Sequence, residues 1–211
     1  MRAAPEASSF RPDQPFKLVG GDPSLDLVNT VTWTGNGLVN ERLTDYERLT
    51  RWAEEAGLVP KAEARRLRRA AAARPEAARE AYDAARWLRW VLQRLYTSLA
   101  TDEPAGSSWD EFNELLSEAL RRLRLAPVRQ GLQAADWSWR GQEESLDSVL
   151  WPILWSAAAL LTSEEAERIR VCGAPDCGWV YVDRSRNGLR RWCEMETCGT
   201  QEKSRRRRQK E

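Results

Sequence analysis

Apolar residues recur at three- and four-residue intervals through most of this chain, the spacing that turns one helix face toward a core. Asp22-Pro23 reads as an N-cap and first helical residue, with Leu25, Val28 and Val31 as the inward stripe. Thr44-Asp45-Tyr46-Glu47 reads as a capping box opening a second helix that Gly57 closes, with Leu49, Trp52, Ala53 and Ala56 facing inward. Pro60 starts a third helix to about residue 73, and Pro75 the longest, to about residue 100, with Tyr82, Ala85, Leu88, Leu92, Leu95 and Leu99 on one face. Ser108-Trp109-Asp110-Glu111 is another capping box, and its helix is expected to reach about Leu125.

The period then changes. Val128 and Trp137-Ser138-Trp139 predict two short strands of a hairpin around Gly131. Leu146, Val149, Leu150, Ile153, Leu154, Ala157, Ala158 and Leu161 form the most apolar helix, restarted at Pro152 and expected at the centre of the core. Ile169 and Val171 lead out of it as a strand, Trp179 to Asp183 is a second strand, Ser185 to Gly188 a turn, and 189–192 another extended piece. From about Glu194 the composition is helical, with acids early and Lys203, Arg205 to Arg208 and Lys210 late, the order a helix dipole favours. Upstream, 16–19 reads as a short strand, and 1–15, rich in Pro, Ala, Ser and charge, as a disordered start. The fold class expected is mainly α: a helical bundle with a short β-hairpin over 16–165, then a small C-terminal module over 166–211. The bundle holds most of the apolar residues and its own caps, so it is expected to fold alone, with the module docked on it through a short link.

Composition refines this. With 211 residues and 42% apolar content the chain can build one good core plus an appendage. Its longest nearly apolar run, 149–161, is too short to cross a bilayer, and the N-terminus lacks an apolar run of signal-peptide type. A cytoplasmic protein with no membrane partner is expected. Net charge is +1, but residues 1–167 carry 21 Lys+Arg against 26 Asp+Glu while 168–211 carry 12 against 6. A basic end of this kind points to nucleic acid. The eleven tryptophans are scattered, which suits packing better than a base-stacking platform.

All four cysteines lie in that basic end. Cys172 and Cys177 have four residues between them, Cys193 and Cys198 likewise, and fifteen residues separate the pairs. Two short-gap pairs can aim four thiolates at one ion. Two disulfides or four buried thiols are the alternatives, the first requiring an oxidising compartment. With no histidine in the chain, a zinc site here would be all-cysteine, closed and structural. Knuckle, hairpin and a helix bearing the second pair is the layout of a treble-clef-like zinc finger.

At these residues the chain resembles the bacterial CGNR zinc-finger proteins. The matching positions are Cys172, Cys177, the strand ending in Asp183, Ser185-Arg186-Asn187-Gly188, Arg190-Arg191-Trp192-Cys193, Met195, Cys198-Gly199 and the basic tail. The family's Cys-Gly-Asn-Arg stands here as Cys198-Gly199-Thr200-Gln201, so the cysteine and glycine are kept and the asparagine and arginine are not. Gly20-Gly21 followed by Leu25-Asp26 and Asn29-Thr30 is similar to the ABATE domain that usually precedes this finger. The resemblance implies one structural zinc ion and a stress-related transcription regulator whose finger touches DNA. Arg184, Arg186, Arg190, Arg191, Lys203, Arg205, Arg206, Arg207 and Arg208 are the candidate DNA contacts. Asp26 and Asn29 are candidates to line a small-molecule pocket in the helical domain, against the plainer reading of capping and packing. A homodimer is left open. No catalytic constellation stands out, so an enzyme is not expected. A zinc-containing protein-interaction or RNA-binding module is the alternative function.

Overall fold

The computed structural model describes residues 3–128, 134–142 and 144–208, with the Arg206 side chain outside that description. Asp22 caps α1 (Pro23–Val28) by accepting the Ser24 amide at 2.8 Å. A two-stranded antiparallel hairpin follows, β1 (Thr32–Thr34) with β2 (Gly37–Val39), registering Trp33 on Leu38. Next come α2 (Tyr46–Glu55), α3 (Lys61–Ala73), α4 (Pro75–Thr101) and α5 (Ser108–Leu120). The second antiparallel hairpin pairs β3 (Leu123–Pro127) with β4 (Ala135–Trp139). A 3₁₀ turn at Leu146–Leu150 runs into α6 (Trp151–Leu161), where Pro152 occupies the first turn and so removes no helical hydrogen bond. After a 3₁₀ turn at Glu164–Arg168, β5 (Ile169–Val171) pairs antiparallel with β6 (Val180–Val182), and a π-helical turn at Met195–Gly199 leads into α7 (Thr200–Arg208).

Several elements depart from the expected pattern for physical reasons. The second helix is capped one residue later than Thr44, by Asp45, which accepts the Arg48 amide at 2.8 Å. α5 stops at Leu120 instead of Leu125, because Leu123 and Leu125 alternate with Arg124 and join the hairpin opposite Trp139 and Trp137. Gly131 lies outside the described residues. The hub of the core is α4, not α6. α4 buries nine residues and packs against α1, α2, α3, α5 and the β5–β6 pair. α6 leaves Trp155 40% exposed on its open face, leaning on Trp137. Residues 16–19 form no strand, and β1–β2 is an addition to the expected elements, signalled only by its two-residue Gly35-Asn36 turn. Within 1–15, expected to be disordered, residues 7–11 instead run beside β2 and its continuation. The Ser8 amide donates to Leu38 O (2.8 Å), Glu41 N to Ser9 O (2.9 Å) and Arg11 N to Glu41 O (2.7 Å).

The main core does not stop at residue 165. Ile169, Val180 and Val182 are buried in it beside Leu25, Val28, Leu88 and Leu92. A buried ion pair, Arg89 with Glu41, ties α4 to the segment after β2, with Thr30 Oγ1 taking a further Arg89 hydrogen bond at 2.9 Å.

Candidate metal centre and the seam beside it

The four cysteines form a second, smaller buried cluster with Trp179 and Tyr181. β5 ends one residue before Cys172, whose amide donates back to Trp179 O (2.7 Å), so the strand pair holds the first knuckle between its ends. The Cys177 amide closes that knuckle on Ala174 O. The second pair is delivered without the strand expected at 189–192. Arg191 O accepts the Gly173 amide (2.9 Å), and Arg190 O accepts the Tyr181 hydroxyl (2.6 Å), fixing that backbone against the first knuckle. Cys198 follows in the π turn. At Gly199 a Cβ would meet the exposed Met195 side chain, which can swing aside, and come within 3.1 Å of Trp192.

The four sulfurs lie within 4.8 Å of one another. Cys177 and Cys193 sulfurs are 3.7 Å apart, and Cys193 and Cys198 sulfurs 3.6 Å. Zinc–thiolate bonds of about 2.3 Å in a tetrahedron place sulfurs about 3.8 Å apart, so the spacing fits one zinc ion. It does not fit disulfides, whose sulfurs sit at about 2.05 Å, and all four thiols are free. Hydrogen bonds shared among the four thiols pull Cys172 below the usual range and push Cys177 and Cys193 above it. The Cys193 amide also donates to Cys172 Sγ (3.4 Å), an N–H on a ligand atom that favours the thiolate.

Asp26 and Asn29, read as candidates to line a ligand pocket, are absorbed by the seam between bundle and finger. Asn29 Oδ1 accepts the Val180 amide (2.9 Å) and its Nδ2 donates to Val180 O (2.8 Å), so one side chain acts as a strand neighbour to the open edge of β6. Gly20 O accepts Val182 N (2.8 Å) on the same edge, while Asp26 Oδ1 accepts Gly20 N (2.8 Å). Burial raises the Asp26 carboxyl to about 6; the Gly20 amide lowers it and the Asp22 charge raises it further. Gly20 has no room for a side chain, since a Cβ would sit 2.7 Å from that of Leu25. Trp33 N donates to Cys177 O (3.1 Å) and Trp179 Nε1 to Val31 O (2.9 Å), extending the seam to the cysteines.

Of the nine basic candidates, the Arg206 side chain lies outside the described residues and the other eight divide. Arg190 is spent internally: it donates to Trp192 O (2.9 Å), Cys193 O and Val19 O, and lies 4.2 Å over the Tyr181 ring. Arg184 forks onto Glu165 at 2.5 and 2.7 Å, and Arg205 onto Glu202 at 2.8 and 3.2 Å. Arg186, Arg191, Lys203, Arg207 and Arg208 are exposed and make no ion pair among the described residues. Arg186 sits on a rigid tip. Asp183 accepts from Ser185 N (2.9 Å), Ser185 Oγ (2.6 Å) and Arg190 N (2.9 Å), which folds 185–190 into a loop with Leu189 at its outer end, 72% exposed.

A cleft of about 810 Å³ opens between the two parts, with the cysteine knuckle as one wall and the 201/205/208 face of α7 as another. Its third wall, including Arg11, Gln14 and Arg42, comes from the N-terminal segment, and nothing in the hydrophobic pattern singles those residues out.

No curated protein matches the chain. Residues 21–164 match the family model ABATE, described as “Putative stress-induced transcription regulator”, and residues 168–211 match the model described as CGNR zinc finger.

Proposed function

Because the chain belongs to the ABATE family and ends in a CGNR zinc finger, we propose that it is a transcription regulator whose zinc-bound finger binds DNA. The division of labour among the finger's arginines carries the reading. Arg190 is spent on the finger's own carbonyls, and Arg184 and Arg205 are paired with Glu165 and Glu202, yet Arg186 stands on a loop braced by Asp183, and it, Arg191 and the α7 residues Lys203 and Arg207 make no ion pair among the described residues. Exposed cations on a scaffold this fixed suit phosphates, and phosphate contacts position a protein without specifying sequence. Zinc supplies rigidity only, since four thiolates leave no open coordination position.

Fluorescence anisotropy of a random-sequence duplex, titrated at several salt concentrations, tests it. Each phosphate contact adds roughly −0.9 to the slope of log affinity against log salt. Arg186→Ala and Lys203→Ala with Arg207→Ala should flatten the slope by about one for each phosphate no longer neutralised. Binding at low salt that is absent, or that survives all three changes, rejects the reading. The alternative of a protein partner has its own observation in Leu189 and Met195, 72% and 57% exposed on the same finger. It gains ground if duplex binding is absent and Leu189→Ser abolishes capture of a partner.

A further inference from the structure

We propose that the cleft between finger and bundle is a binding site for a small molecule bearing two or more oxyanions, phosphates or carboxylates, gripped by both parts of the chain at once. The proposal does not depend on DNA binding. At about 810 Å³ the cleft lies within the size range of small-molecule sites. Two of its cations are already neutralised, Lys17 by Glu194 and Arg205 by Glu202. Arg11, Arg42 and Arg208 have no carboxylate partner among the described residues, and they line the opening from the N-terminal segment and from α7.

Arg42 is the telling residue. It is only 8% exposed, yet its guanidinium donates solely to neutral acceptors, Asn40 O at 3.2 Å and Gln14 Oε1 at 3.3 Å. Its Nε has no hydrogen-bond partner among the described residues. Burial disfavours the Arg42 cation and the neighbouring Glu41 charge favours it, but that carboxylate is taken by Arg89 and accepts no hydrogen bond from Arg42, and a guanidinium fork matches a planar or tetrahedral oxyanion in two hydrogen bonds. Trp179 backs it from 5.1 Å. Opposite stands one face of α7, on which Gln201, Arg205 and Arg208 recur at helical spacing. Gln201, which stands where the family has arginine, thus lines the cleft, not the outer face bearing Lys203 and Arg207. One competing account exists for Arg42. A zinc ion held by four thiolates carries a net negative charge, and Cys177 is among the groups acting on Arg42.

The test uses full-length, zinc-loaded protein and calorimetric titration with inorganic pyrophosphate and, separately, citrate, with zinc content checked afterwards. One-to-one binding of pyrophosphate alone assigns a phosphorylated ligand, of citrate alone a polycarboxylate, and of both the wider polyanion class. Arg42→Gln and Arg208→Gln should each weaken binding at least about tenfold, the loss of one charge-assisted pair, whereas Arg69→Gln, exposed on α3 and outside the cleft lining, should not change it. Arg208 is exposed, so that variant keeps the test decisive if Arg42→Gln fails to fold. No binding of either probe overturns the proposal, and zinc loss in Arg42→Gln would then assign Arg42 to the thiolates. Binding that is blocked by duplex DNA would make the cleft part of a nucleic-acid face and equally overturn it.

Discussion

Arg186 and Arg190 belong to the same basic loop, yet their surroundings give them opposite jobs. Arg190→Ala removes charged hydrogen bonds to three carbonyls, so a loss of about 2–3 kcal/mol is expected in urea melts, with zinc held less tightly. Arg186→Ala should leave the melt unchanged. Asp26 allows a prediction with a sign. Its carboxyl is raised from 3.8 to about 6 by burial, so the folded chain holds the proton more tightly than the unfolded one. That contribution is present in full below about pH 4 and is lost as pH rises through about 6, which leaves a cost of about 2–3 kcal/mol at neutral pH. Asp26→Asn keeps an oxygen for Gly20 N and removes the cost. The variant should therefore be more stable than the parent at pH 7–8, with the difference shrinking toward pH 4. Taking the difference between the two melts cancels whatever pH does to the zinc site. An unchanged difference across that range would reject the assignment.

The elements of the finger are stabilised from outside it. β5 and β6 are three residues each, too short to persist as an isolated pair, and β6's other edge is completed by Asn29 and Gly20. Asn29→Ala would leave the buried Val180 N–H and C=O without partners, at about 1–3 kcal/mol each. Gly178 is the tightest point: it has φ +64° and lies so close to the Trp33 carbonyl that a Cβ would collide with it. Gly178→Ala should therefore push β1 and the knuckle apart, and loss of zinc stoichiometry in elemental analysis is the expected outcome. Caps and prolines in the sequence mark α1, α3 and α4 correctly. They do not mark the end of α5, where helical and alternating patterns overlap at Leu123 and Leu125 and only pairing with Trp139 and Trp137 decides between them.

For the whole molecule, the question is whether bundle and finger are separable. Ile169, Val180 and Val182 sit in the main core, and burial of such side chains contributes about 1.5–3 kcal/mol each. Ending the chain at Thr162 would remove them and expose the face of α1 they cover. Such a fragment should be insoluble or melt without cooperativity, in place of the independently folding bundle that apolar content alone suggests. For the same reason, chelating zinc from the full chain should lower the stability of α1 and α4, read as faster amide exchange there, and not merely unravel residues after 168. A cooperative melt of the fragment at the parent's temperature would restore the two-unit description.

The chain's own residues determined its helices, the zinc donors and the asymmetry of charge, because each is a local property: a cap, a spacing of cysteines, a run of arginines. The cysteine spacing nominates the donor set, and the sulfur separations of the folded chain set the disulfide alternative aside. Contacts between residues far apart were not legible. Asn29 and Val180 are 151 residues apart, so nothing beside Asn29 in the chain says it will mimic a strand for the finger. Arg42 likewise looks like any surface arginine until the fold buries it beside Trp179 and brings α7 across from it. Which arginines are free and which are structural is decided only there, because a guanidinium's role depends on what acceptor the folded chain places within reach.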